Sequence, residues 1–343
     1  MKYSSTVATL LLVMLFLSTA LAQQQINDGM DSAIQVTAPR TARALIICGM
    51  LGDAEHRKLY AETVERLHAG LTTHHGFKPE NVVLYWSDKV PEDAGPALKS
   101  AKPLNVPEAS TNDAAAETLS ETKSVTGRDL LAAGVADLEK AVQPDDTLWV
   151  FVLGHCHYDG RYSWLNVPGP DIQHIEFSKW FTNIRCREQV FFMTTSVSGF
   201  FQKPLAAPGR VVITATEPDL EVNETIFPHH LAKTLAEPPP FLDLDIDADG
   251  RLTLLDAYLF TCQQVAQEYA TGMLLATEHA LLDDSGDGKG TEVQANYLPE
   301  DLGGRLRAGR DKPILRTGDG ARSRRILLDY PPSPPSPEDL PEM

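Results

Sequence analysis

A chain of 343 residues, 43% hydrophobic and 22% charged, has ordinary globular composition and length for one large domain or two smaller ones. A formal net charge of −17 argues against a nucleic-acid surface and favours solubility without naming a substrate. Past the N-terminus no stretch approaches the roughly 18 apolar residues of a membrane span, so no membrane anchor is expected.

At the N-terminus Lys2 precedes an apolar run over residues 7–17, and Ala20-Leu21-Ala22 has the small-x-small form of a cleavage site. Residues 1–22 are expected to be a signal peptide, and the mature chain an exported protein, periplasmic or extracellular. Residues 23–42 are Gln-rich and polar and are expected to form a disordered lead-in. Export permits disulfides, yet the spacing of Cys48, Cys156, Cys186 and Cys262 fits neither a zinc site nor a disulfide framework. Cys48 closes an apolar run and is expected to be a buried thiol.

The main domain is expected over residues 43–237. Residues 44–48 (ALIIC) read as a buried strand, and Asp53 as the N-cap of a helix over 55–74 with Leu59, Val64, Leu67 and Leu71 on one face. A second strand follows at 82–86. Residues 87–123 lose apolar periodicity and are expected to be an insertion or long loop. Thr126 with Asp129 three residues on opens a helix striped by Leu130, Leu131, Val135 and Leu138. Strands at 147–153, 189–193 and 210–215 alternate with helices at 175–184 and 226–235. This order predicts an α/β fold, a doubly wound, mostly parallel sheet.

In such sheets ligands bind beyond the carboxyl ends of the strands. There the 147–153 run ends in Gly154-His155 and the 189–193 run in Thr194-Thr195-Ser196-Val197-Ser198-Gly199. His155 reads as a general base and Ser196 as a nucleophile, with Asp159 or Asp171 orienting the imidazole. The other reading makes Ser196 a turn residue and His155 a structural one. Cys156 is an alternative nucleophile on the loop of its own base. Glu217 and Asp219 follow the next strand and read either as an acidic pocket for basic side chains or as solvated loop carboxylates.

These motifs, continued by residues 211–216 and by Asn223-Glu224-Thr225, resemble the caspase–legumain group of cysteine peptidases, most closely bacterial legumain-like proteins. The resemblance covers residues 44–235 and implies a caspase/legumain-like sandwich with a His–Cys dyad at two adjacent strand ends. Here Ser196 stands where that family has Cys, and Cys156 where it usually has Gly. It implies either an exported hydrolase acting on a peptide or protein substrate, or a non-catalytic derivative that keeps the crevice for binding.

Residues 238–300 change to acidic loops and one helix, expected at 254–276. Asp245, Asp247, Asp249 and Asp256 fall at positions 1, 3, 5 and 12 of an EF-hand loop, with Gly250 at 6 and the Arg251 carbonyl at 7. Ca²⁺ is the cofactor this register predicts; an acidic turn capping the helix is the alternative. Asp283, Ser285 and Asp287 begin a second, partial loop with Gln294 at position 12. Residues 301–343 are Arg- and Pro-rich and are expected to form a disordered tail.

Overall fold

The computed structural model describes residues 41–104, 125–297 and 318–330, so the expected signal peptide and all of the lead-in up to residue 40 lie outside the described residues. Eight strands form one mixed sheet in the order β11-β10-β9-β8-β4-β1-β2-β3. Its parallel part comprises β1 (Ala42–Cys48), β2 (Val82–Trp86), β3 (Lys102–Pro103), β4 (Thr147–Leu153), β8 (Glu188–Met193) and β9 (Arg210–Thr214). The hairpin β10 (Leu281–Asp283) and β11 (Thr291–Glu292) joins β9 antiparallel. Strands β5 (Cys156–Tyr158), β6 (Ser163–Leu165) and β7 (Ile172–Gln173) form a separate small antiparallel sheet beyond β4.

Both faces of the main sheet are buried, which is why its strands read as continuous apolar runs. Ala44, Ile46 and Cys48 of β1 pack in one cluster with Trp149, Phe151 and Phe192; Leu45 and Ile47 pack in the other with Val150, Val152 and Phe191. Helices α1 (Ala54–Thr73), α4 (Phe227–Ala236) and α5 (Leu254–Gly272) cover the first face. Helices α2 (Gly127–Ala141) and α3 (His174–Trp180) cover the second.

Local capping obeys the expected chemistry. Asp53 accepts from the amides of Glu55 and His56 at the head of α1, and Thr126 and Asp129 close a reciprocal capping box on α2. The buried stripe of α1 differs from expectation at one position: Leu59 is 39% exposed, and Tyr60, Val64, Leu67 and Leu71 face inward. Helix α3 is shorter than expected, and α5 stops at Gly272 because Met273 turns left-handed with φ 52°. Within the expected long loop, residues 96–99 form one helical turn and β3 adds an edge strand; residues 105–124 lie outside the described residues.

The acidic region is not a separate body, since α5, Leu282 and Val293 share the apolar cluster of the parallel sheet. Residues 318–330 differ most from expectation. Composition places them in the tail, yet Ile326 and Leu328 are buried against that same cluster. Residues 301–317 and 331–343 lie outside the described residues. Among the described residues no helix is long and apolar enough to cross a membrane.

Asp146 pins the N-terminal edge of the sheet. Its buried carboxylate accepts from Thr41 N at 3.2 Å, Gln143 N at 3.0 Å and Arg43 Nε at 3.2 Å, joining the start of β1 to the turn before β4. Removing one buried acceptor leaves its donors desolvated. Asp146→Ala is expected to lower unfolding free energy by about 2–3 kcal/mol, while Asp146→Asn, which keeps an acceptor, loses less; urea denaturation of both variants measures the difference.

Candidate functional site

Because β4 and β8 pair in parallel, Phe151 opposite Phe192 and Val152 opposite Met193, the residues after them emerge at the same sheet edge. His155 and Ser196 both lie there. The two side chains are engaged differently. Ser196 Oγ is buried and donates to the Cys156 carbonyl at 2.8 Å, while the Cys156 amide donates back to it at 3.4 Å. The His155 ring instead packs edge-on toward His56 and Tyr60 of α1, with centroids 6.3 and 6.4 Å away. Gly52 lies beside it, where an added Cβ would sit 3.5 Å from His155 Nε2. Among the described residues no hydrogen bond joins Ser196 to His155.

A serine attacks only when a base takes its proton. Here that proton is directed at a backbone oxygen, and the amide beside it is directed at the serine. Cys156 is no better placed: its thiol receives the Thr195 hydroxyl at 3.0 Å, and burial pushes it up to about 12. At neutral pH it is a thiol, not a nucleophilic thiolate. Asp159 accepts from the amides of Arg161 and Tyr162 and from Trp164 Nε1; Asp171 accepts from Val167 N and Asn166 Nδ2. Both serve the β5–β7 connections. Val197, next to the serine, holds φ 45°, a left-handed conformation uncommon for a β-branched residue.

Glu217 and Asp219 sit on a tight turn beyond β9. Asp219 accepts the Glu221 amide at 3.0 Å, and Glu221 accepts the Glu217 amide at 2.8 Å. Burial and then the neighbouring Glu221 charge raise the Glu217 carboxyl above its ordinary value. Glu221 also takes the His279 amide and pairs with its ring, tying this turn to the segment before β10. Sequence reasoning gave Glu221 no role because its partner lies 58 residues away.

His56 is a second residue that sequence reasoning passed over. Its Nδ1 lies 2.7 Å from Asp53 and its Nε2 2.7 Å from Glu224, so its value is raised, chiefly by the Asp53 hydrogen bond. His229 does the reverse. It packs on Tyr60 at 5.2 Å, and its Nδ1 meets Thr63 Oγ1, which itself donates to the Leu59 carbonyl. That commitment makes Nδ1 the proton-bearing nitrogen of a neutral ring. A cavity of about 530 Å³ lies elsewhere, between α1 and residues 89–98, and includes neither His155 nor Ser196.

The acidic loop places three carboxylates together. Oxygens of Asp245, Asp247 and Asp249 lie within 4.8 Å of one another, the only such group among the described residues. Asp245 at position 1 accepts from the amides of Asp249 and Gly250, both at 3.1 Å. Ala248 and Gly250, positions 4 and 6, take φ of 53° and 81°, which folds positions 1, 3 and 5 toward one point. Asp256 lies behind this cluster: its Oδ2 accepts Thr253 N and Oγ1 in the capping box of α5, and its Oδ1 lies 3.4 Å from Asp247 N. Burial raises its value. Arg251 turns its guanidinium to Asp249 at 2.8 Å.

The second acidic loop repeats part of this geometry. Asp283 accepts from Gly286 and Gly288, and both glycines take positive φ. Ser285 Oγ donates to Asp283, and Asp287 accepts the Lys289 amide. The loop is the turn of the β10–β11 hairpin and does not pair with the first. Residues 326–328 fill that position instead: Leu254 N donates to the Ile326 carbonyl at 2.8 Å, and Leu328 N to that of Leu252 at 3.0 Å.

Comparison of the chain with protein-family models and with curated proteins finds no match.

The His229 ring carries a pH consequence. Burial lowers its value from 6.5 to about 4, so between these limits the unfolded chain binds the extra proton. The stability this linkage supplies is complete above pH 6.5 and is lost as pH falls toward 4. His229→Gln is expected to flatten the stability–pH curve by about 3 kcal/mol over that interval, measured by urea denaturation; His75, also lowered to about 4, keeps a residual slope.

Proposed function

We propose that this protein is a non-catalytic, divalent-cation-binding derivative of the caspase–legumain architecture, with Ca²⁺ as its ion and the strand-end crevice as a site for peptide or protein binding. The observation that carries the reading is the clustering of Asp245, Asp247 and Asp249 within 4.8 Å at EF-hand spacing, directly before a capped helix. These three carboxylates would hold the ion, joined by the Arg251 carbonyl at position 7. A bound Ca²⁺ supplies charge that offsets their mutual repulsion and orders the turn between residues 241–244 and α5. Asp256, engaged in the capping box, would act through the helix end and the Asp247 amide.

The caspase–legumain part rests on the placement of His155 and Ser196 at the ends of adjacent parallel strands, with helices on both faces of the sheet. The non-catalytic part is supported by the direction of the Ser196 hydroxyl, toward the Cys156 carbonyl. Export is part of the proposal and rests on residues 1–22 alone. The competing peptidase reading is favoured by the shared sheet edge, and it requires Ser196 to turn toward His155. A fluorophosphonate probe separates the two: the non-catalytic reading expects no labelling, and labelling abolished by Ser196→Ala would install the peptidase in its place.

For the cation, a ligand that binds only the folded state at a hundredfold excess over Kd adds about 2.7 kcal/mol. Calcium in the millimolar range is therefore expected to raise Tm by several degrees, with Mg²⁺ raising it less because it demands near-ideal octahedral geometry. Asp245→Ala removes the Ca²⁺-dependent rise. A melting curve unmoved by Ca²⁺, with no heat of binding by calorimetry, would reduce the loop to an acidic turn.

A further inference from the structure

The acidic loop already faces a cation, one that belongs to the protein. Arg324 reaches in from the segment 318–330, and its Nε lies 2.6 Å from Oδ2 of Asp247, the most buried of the three clustered carboxylates. The two residues are 77 apart in sequence, so this pair is no product of loop geometry. It exists because the whole segment is strapped across the acidic region.

The strap is held without help from that side chain. At its far end Asp284 accepts the amides of Gly320, Arg322 and Ser323 and the Ser323 hydroxyl. Asp319 in return accepts the amides of Asp284 and Ser285 and the Thr291 hydroxyl. At its near end the backbone bonds to Leu252 and Leu254 flank the buried side chains Ile326 and Leu328. The Arg324 side chain, by contrast, is 45% exposed and can leave for water while the backbone stays docked. A guanidinium carries a single charge, and here its Nε bonds the Asp247 carboxylate. A divalent cation brings twice the charge and takes oxygens from several carboxylates at once.

We infer that Arg324 is a built-in counter-ion of the 245–256 loop, which a divalent cation displaces, so that the strap sets the loop's cation affinity. The inference rests on the cation reading of the loop and adds its regulation. In the cation-free protein Arg324 neutralises Asp247 and steadies the loop. On cation binding the side chain is released and the strap remains. Any partner or modification that draws Arg324 away would strengthen cation binding, and the coupling is reciprocal.

The test is calorimetric titration of the full chain with Ca²⁺ alone, for wild type, Arg324→Gln and Arg324→Lys. Arg324→Gln is expected to bind about tenfold more tightly, the loss of one competing charge-assisted hydrogen bond. Without Ca²⁺ the same variant is expected to melt below wild type, and with saturating Ca²⁺ to recover. Arg324→Lys keeps the charge and is expected to stay near wild-type affinity. Amide exchange of Leu328 reports whether the strap stays docked; if Arg324→Gln undocks it, Arg324→Met, which keeps the apolar stem and removes the charge, gives the reading. Equal affinity in wild type and Arg324→Gln overturns the counter-ion while leaving the cation site intact. Absence of Ca²⁺ binding in both overturns the cation reading and the counter-ion with it, whereas binding only in Arg324→Gln is the strongest form of the expected result.

Discussion

Carboxylates that accept backbone N–H groups hold this protein together. Asp146 joins β1 to the turn before β4, Glu65 accepts the amides of Ala97 and Leu98, and Asp284 and Asp319 clasp the strap against the β10 hairpin. Glu278 is a fully buried case. Fully enclosed, it accepts the amides of Ile226 and Phe227 at the head of α4 together with the Tyr269 hydroxyl, and burial raises it to about 7. Each such bond satisfies donors that a helix end or loop leaves unpaired, and a negative charge at a helix N-terminus also meets the favourable end of the backbone dipole. A chain of net charge −17 thus directs part of its excess acid inward as structure.

The strap connects this scheme to the candidate function. Through Asp284 and Asp319 it fastens to the second acidic loop, through Ile326 and Leu328 to the sheet's core, and through Arg324 to the first acidic loop. The two loops are therefore bridged by a third segment and do not pair directly. Their chemistry also differs: the first lies before a long capped helix, while the second turns a hairpin whose carboxylate Asp283 is buried and raised by that burial. A loop before a helix can tighten around an ion; a hairpin turn bonded at both ends has less freedom to do so.

At the strand-end crevice, position and chemistry separate. Parallel pairing of β4 with β8 brings His155 and Ser196 to one edge, as a dyad would require. The segments leaving the two strands then decide the outcome. The β5–β7 sheet carries Cys156 against Ser196, and the rings of His56 and Tyr60 attract His155 toward α1. Among the described residues the Ser196 hydroxyl is bonded to the Cys156 backbone, and no hydrogen bond joins it to a base that would take its proton.

The sequence by itself determined the α/β class, the parallel strands and the capped helices, since these arise from apolar runs buried on two faces and from side chains that reach amides two or three residues away. Gly250 at position 6 and aspartates at 1, 3 and 5 made the first acidic loop legible for the same local reason. Tertiary structure alone decided the rest. Leu59 turned outward and Tyr60 inward because packing against α4 sets the rotation of α1. The second acidic loop became a hairpin because β9 offered an edge for β10 to pair with. Residues 318–330, polar and Arg-rich, read as tail because their docking depends on Asp284 and on the backbone of Leu252 and Leu254, all distant in sequence. The partner of the Ser196 hydroxyl was likewise set by folding, which places the Cys156 carbonyl 2.8 Å from it. A hydroxyl's partner is a property of space, and no spacing along the chain encodes it.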